Sequence, residues 1–206
     1  MVSDEHRLLF VHVQKTGGTT IDNRLKEVLP DARGVSGLDR HARLGEILEV
    51  EPGLADHLVV GFVRNPWARM LSWYRMVLRF EERAEKGKSG AARQLRINDF
   101  LASVSSDYGS FEEFVLRGPD DWERLRTPQV DYLTSPGRDA DVIGRQESLE
   151  ADLETVFERL GLPWEPLNSR NVDNHRPDYR DEFTPAGRDR VAEVFARDLE
   201  AFGYEF

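Results

Sequence analysis

The sequence predicts an α/β fold, built as a single domain with a central parallel sheet and helices on its faces. Three observations predict it. Residues 7–13 (RLLFVHV) form a short, mainly apolar, β-rich run that ends at a glycine-containing loop and is followed by a helical stretch. Residues 57–63 (HLVVGFV) form a second run of the same kind, which also leads straight into a helix. A short strand candidate at 141–143 precedes a helix at 149–160. Continuous apolar runs, rather than alternating ones, are how parallel strands buried on both faces read. Strands alternating with helices give βα units.

The elements follow in order. After the first strand, residues 20–28 read as a helix stopped by Pro30, and residues 41–50 (HARLGEILEV) as a second short helix. The second strand runs into Arg64-Asn65-Pro66. Asn65 is a good N-cap and Pro66 suits the first helical position, where its missing N–H costs nothing. The helix beyond carries an apolar stripe of Trp67, Met70, Leu71, Tyr74, Val77 and Leu78. Residues 81–98 are charged and interrupted by glycine, and read as a mobile connection. Helical pieces follow at 100–104 and 110–116. Ser148 reads as the cap of the 149–160 helix and Gly161 as its C′ residue. Residues 168–181 are polar and loop-like, and Thr184-Pro185 opens a last helix ending near Phe202-Gly203. No repeat or linker divides residues 1–206.

Composition narrows the function. Apolar residues make up 39% of the 206, and no stretch approaches the roughly 20 apolar residues of a membrane span. The first residues lack a basic segment leading into a long apolar one, so no secretory signal is read and a cytoplasmic location is expected. The chain has no cysteine, which excludes disulfides, thiolate metal sites and cysteine nucleophiles. A net charge of −10 argues against a nucleic-acid partner, since that binding depends on basic surface. Only Lys15, Lys26, Lys86 and Lys88 are lysines, so the one lysine inside a glycine loop stands out.

That loop is Lys15-Thr16-Gly17-Gly18-Thr19-Thr20. Glycines between a strand and a helix let backbone N–H groups close around an anion. The helix N-terminus adds partial positive charge, Lys15 a full one, and the threonine hydroxyls further donors. Alone, the segment also fits an ordinary βα turn with a solvent-facing lysine. It is not the G-x-x-x-x-G-K-[ST] loop of ATP-binding proteins, because Lys15 precedes the glycines. A second element is Arg64, at the carboxyl end of a strand where α/β folds bind ligands, with Ser72 two turns into the following helix.

Together the two elements resemble the 5′-phosphosulfate loop and the 3′-phosphate motif of sulfotransferases that use 3′-phosphoadenosine 5′-phosphosulfate (PAPS). The likeness is to the group that includes heparan-sulfate O-sulfotransferases and small bacterial carbohydrate-type relatives. Pro128–Leu133 (PQVDYL) resembles a family segment lining the active site, and 143–149 (IGRQESL) resembles a family G-R-F-E-N-L stretch, with Gln146 and Ser148 departing from it. The resemblance implies a P-loop-like sulfotransferase architecture, with PAPS as donor, PAP as product and no metal. It implies that Lys15, Thr16, Gly17, Gly18, Thr19 and Thr20 hold the 5′-phosphosulfate and that Arg64 and Ser72 hold the 3′-phosphate. His175 and Arg176, in a loosely matching NVDNHR segment, would close over the donor.

Sulfuryl transfer needs a cation at the leaving oxygen and a base for the acceptor proton. Lys15 is the expected cation. Of five histidines, His41 lies where the resembling enzymes place a catalytic one, and Glu46 is the reserve base. His12 reads as a strand residue that packs. The kinship points to a carbohydrate hydroxyl as acceptor, whereas the acidic charge favours a small metabolite, with no membrane partner. A P-loop-like kinase or nucleotide hydrolase and a non-catalytic PAP-binding module remain as alternatives.

Overall fold

The computed structural model describes residues 1–167 and 178–206. Along the chain the elements are β1 (Val2–Ser3), β2 (Leu8–Val11), α1 (Gly18–Val28), α2 (Leu44–Val50), β3 (Leu58–Val63), α3 (Pro66–Glu85), α4 (Ser89–Ile97), α5 (Asp99–Asp107), α6 (Phe111–Asp121), α7 (Glu123–Arg126), α8 (Val130–Leu133), β4 (Thr134–Ser135), β5 (Arg138–Asp139), β6 (Val142–Arg145), α9 (Leu149–Leu160), α10 (Pro185–Val194) and α11 (Ala196–Phe202). The described residues fall into two compact units. One is drawn from Met1–Arg64 and Gln129–His175, the other from Asn65–Pro128 and Arg176–Phe206.

The first unit holds the α/β sheet. Strand order is β1-β2-β3-β6. β2 and β3 run parallel with Leu8 opposite Leu58 and Val11 opposite Gly61, and β3 and β6 run parallel with Val60 opposite Val142. The expected parallel core is present, with one addition at its edge. Two-residue β1 pairs antiparallel to β2, so the sheet is mixed. An element this short has no periodicity to read. β2 is buried throughout, and β3 is buried except at its first residue. Helices α1 and α9 cover the sheet through Ile21, Leu25, Leu153, Val156 and Phe157, packed on Leu8, Phe10, Val60 and Phe62. Because β2, β3 and β6 are parallel, their carboxyl ends lie at one edge, and the segments leaving them meet there.

The second unit is helical. Trp67, Met70, Trp73 and Val77 of α3 form its core with Phe100, Leu101 and Val104 of α5, Phe114 and Val115 of α6, Val191 of α10, and Phe195. Asn65 caps α3 as expected: its Oδ1 accepts from Trp67 N at 3.1 Å and Ala68 N at 3.3 Å, and its Nδ2 donates to Glu205 O at 2.9 Å.

Four local expectations are corrected. Residues 81–98 are not an open connection: α3 continues to Glu85 and α4 covers Ser89–Ile97. The helix expected from residue 41 starts at Leu44, which leaves His41 in the turn before it. Ser148 precedes α9 without capping it by side chain; its hydroxyl donates instead to Asp152 Oδ2 at 2.8 Å. The last helix is two, broken at Phe195, whose side chain is in the core. No helix among the described residues is long and apolar enough to cross a membrane.

Candidate active site

The loop leaving β2 is strained. Lys15 has φ 71° and Gly17 φ 87°, both in the left-handed region. For glycine this is free, but for lysine it costs energy that the surroundings must supply. Thr16 between them is 1% exposed, and its Oγ1 donates to Val13 O at 2.9 Å. The bond folds the loop back on its own strand. Left-handed residues interleaved in such a turn bring successive N–H groups to one side.

Gly17 is also the N-cap of α1, which has no side-chain cap and no acid in its first turn. The end of the helix is thus left for an anion. Thr19 and Thr20 sit in that first turn and are exposed. Gly18 is required by a neighbour. A Cβ there would stand 2.1 Å from Cδ2 of His12, whose ring fills the space against the start of the helix.

Arg64 leaves β3 at the same edge. Its Nη1 donates to Lys15 O at 3.5 Å, which ties the end of β3 to the glycine loop. Gln129 fixes its backbone. This fully buried amide accepts from Arg64 N at 2.9 Å and donates to Arg64 O at 2.8 Å. Sequence reasoning placed Gln129 in a segment of interest but gave it no role; a glutamine beside a proline carries no signal of what it brackets. Ser72 is half-buried on α3 of the second unit. His175 and Arg176 lie outside the described residues.

His41 stands on the first unit. Its backbone N–H donates to Asp39 Oδ1 at 2.8 Å, which shapes the turn. Its Nδ1 is 2.9 Å from His12 O, and its ring meets the His12 ring edge-on with centroids 4.5 Å apart. The Nε of Arg40 donates to His41 Nε2 at 3.0 Å. His12 itself is buried. Burial first, then the charge His41 would carry if protonated and the charge of Arg40, push its imidazole down to about 3. It is therefore neutral at ordinary pH, and its part is to position. The expectation that it merely packs missed this, because the carbonyl it offers His41 and the ring it sets against Gly18 depend on residues distant in sequence.

Glu46, the reserve base, accepts from Arg43 N at 2.7 Å through its Oε2 at the start of α2. Beside His12 and Arg40 opens a cavity of about 310 Å³, bordered also by Phe10, Leu38 and Ile47. Elsewhere in the unit, ligand atoms of Glu5, His6 and Asp31 lie within 4.8 Å of one another. There Asp31 accepts from Ser3 Oγ at 2.8 Å and Glu5 N at 2.9 Å, an arrangement that braces the β1–β2 turn.

The sequence compares with known proteins in the same sense. It is 30% identical over 179 residues to carbohydrate sulfotransferase 14 of Danio rerio, covering 79% of this chain and 48% of the relative. It thus spans about half that relative's length. It is 31% identical over 126 residues to an uncharacterized protein of Archaeoglobus fulgidus, covering 58% of this chain and 83% of that one. No solved structure matches. The sequence model of the Sulfotransferase family matches residues 1–205, almost end to end, and the chain belongs to that family.

Proposed function

We propose that this protein transfers a sulfuryl group from PAPS to an acceptor hydroxyl. The observation that carries the proposal is the strained loop: left-handed Lys15 and Gly17 open onto the uncapped end of α1, with Arg64 drawn against the Lys15 carbonyl. The fit to a doubly anionic donor rests on these features. A loop that holds a lysine in the left-handed region, at a cost of order 1–3 kcal/mol, needs a return, and anion binding supplies one.

In this reading Lys15, the backbone of Thr16, Gly17 and Gly18, and the hydroxyls of Thr19 and Thr20 hold the 5′-phosphosulfate. Arg64 and Ser72 hold the 3′-phosphate, and His175 and Arg176 assist from outside the described residues. The donor, when bound, supplies the sulfuryl group and a phosphate leaving group. Lys15 neutralises the negative charge that gathers on the departing oxygen. His41 takes the acceptor's proton on Nε2, since Nδ1 is committed to the His12 carbonyl. The acceptor is a carbohydrate hydroxyl, a reading supported by the name of the zebrafish relative.

The test is transfer of label from radioactive PAPS to a panel of saccharides and small hydroxylated metabolites. Transfer to a saccharide, abolished by Lys15→Ala and reduced mainly in kcat by His41→Gln, is the expected result. Normal turnover in the His41→Gln variant across pH 6–8 removes His41 from the mechanism. Magnesium-dependent turnover of ATP, with none from PAPS, overturns the proposal.

A further inference from the structure

Each ring nitrogen of His41 has a partner among the described residues, and those two partners favour one protonation state. His12 O is a carbonyl and can only accept, so Nδ1 at 2.9 Å carries a proton. Arg40 Nε can only donate, so Nε2 at 3.0 Å offers its lone pair. One proton on Nδ1 and a lone pair on Nε2 make a neutral ring, already the tautomer a base needs. A second proton would set an N–H of the ring against an N–H of the guanidinium, and two positive charges side by side.

The lone pair that Arg40 covers is the one an acceptor hydroxyl must reach. We propose that Arg40 is a positioning residue for His41: its guanidinium caps Nε2 and holds the ring in the neutral Nδ1–H form until the acceptor hydroxyl takes its place. The inference rests on the proposed role of His41. Arg40 is exposed, and among the described residues no carboxylate lies within ion-pair distance to oppose its displacement. It also borders the cavity of about 310 Å³ beside His12, which gives the side chain somewhere to turn. As Arg40 swings off, the hydroxyl donates where the guanidinium donated. The nearby cation that opposed protonation withdraws when the proton must be received.

Among the described residues, Asp39 and Arg40 approach the ring from its own segment and His12 from the end of β2, while Asp22 and Lys26 of α1, Arg33 and the N-terminus of Met1 line the adjoining cavity. Asp22 and Lys26 are paired with each other at 2.6 Å. Among the described residues, Arg40 is a cation in direct contact with the ring.

The experiment is an NMR titration of the His41 ring, identified by the signal lost in His41→Gln, in the full-length protein without donor or acceptor. Arg40→Ala is expected to raise the titration midpoint by about one pH unit, tenfold in proton affinity, and Arg40→Lys to hold it near that of the parent protein. In the transfer assay the acid limb of kcat/KM moves the same way, so activity at pH 6 relative to pH 8 falls several-fold in Arg40→Ala. Unchanged affinity for PAP in that variant shows that the fold and donor loop are intact. An Arg40→Ala midpoint equal to that of the parent protein overturns the inference, whatever the enzyme transfers. Failure of His41→Gln to impair transfer would instead sink the role of His41 while leaving the titration result standing.

Discussion

At the scale of the residue, the site depends on pairs that touch. His12 is the clearest case. Its ring stays neutral down to about pH 3, against an ordinary value of 6.5. Below about 6.5 the unfolded chain therefore takes up a proton that the folded ring refuses, and stability falls as the pH drops from 6.5 toward 3. Above 6.5 His12 contributes no slope. Urea denaturation at pH 5 and pH 7.5 tests this: His12→Asn should lose less stability between the two than the parent protein, and an equal loss contradicts it. Gly18 is the partner. In Gly18→Ala the new methyl would stand 2.1 Å from the His12 ring and force it aside, a cost of about 1–3 kcal/mol by urea denaturation, with weaker binding of PAP. The placement of Lys15, Gly17 and Arg64 at strand ends was legible in the sequence because the strand and glycine signals there are local. His12, Arg40 and Gln129 were not, because each acts on a residue it reaches only through the fold.

At the scale of the element, the legible parts were those with uninterrupted local signals. β2 and β3 are continuous apolar runs, α9 carries its apolar stripe and closing glycine, and α3 opens on Asn65-Pro66. Asn65→Ala should cost about 1 kcal/mol or somewhat more, read as a lower thermal midpoint, because both the α3 cap and the bond to Glu205 O go. Gln129→Ala strands the Arg64 N–H and carbonyl at the end of β3. About 1–3 kcal/mol and several degrees of Tm should be lost, and PAP affinity should fall with them. If PAP binds Gln129→Ala as tightly as the parent protein, the backbone of Arg64 does not set the donor site. Residues 81–98 were misread for a physical reason. Charge and glycine signal an exposed surface, yet Ala91 of α4 is buried and Leu95 packs against the helical core, which orders the segment. The cap assigned to Ser148 failed because Asp152, four residues on, draws the hydroxyl away.

At the scale of the whole molecule, the α/β class followed from two buried strands, a third short strand and their glycine loop, and the family match over residues 1–205 agrees with it. The helical unit had no such signature. Its core joins α3 to α5, α6 and α10 across more than a hundred residues, a pattern visible only once the chain is folded. The net charge of −10 adds a constraint, since an acidic protein must concentrate its cations locally to hold an anionic donor. In the proposed donor site that concentration is Lys15 and Arg64, whose Nη1 donates to the Lys15 carbonyl. Calorimetric titration with PAP, and separately with ATP and magnesium, tests the donor site most directly. Saturable, metal-independent binding of PAP, weakened at least about tenfold by Lys15→Ala and by Arg64→Ala, is the predicted result (about 1.4 kcal/mol each). Tighter binding of ATP with magnesium, or PAP binding indifferent to both substitutions, would contradict it.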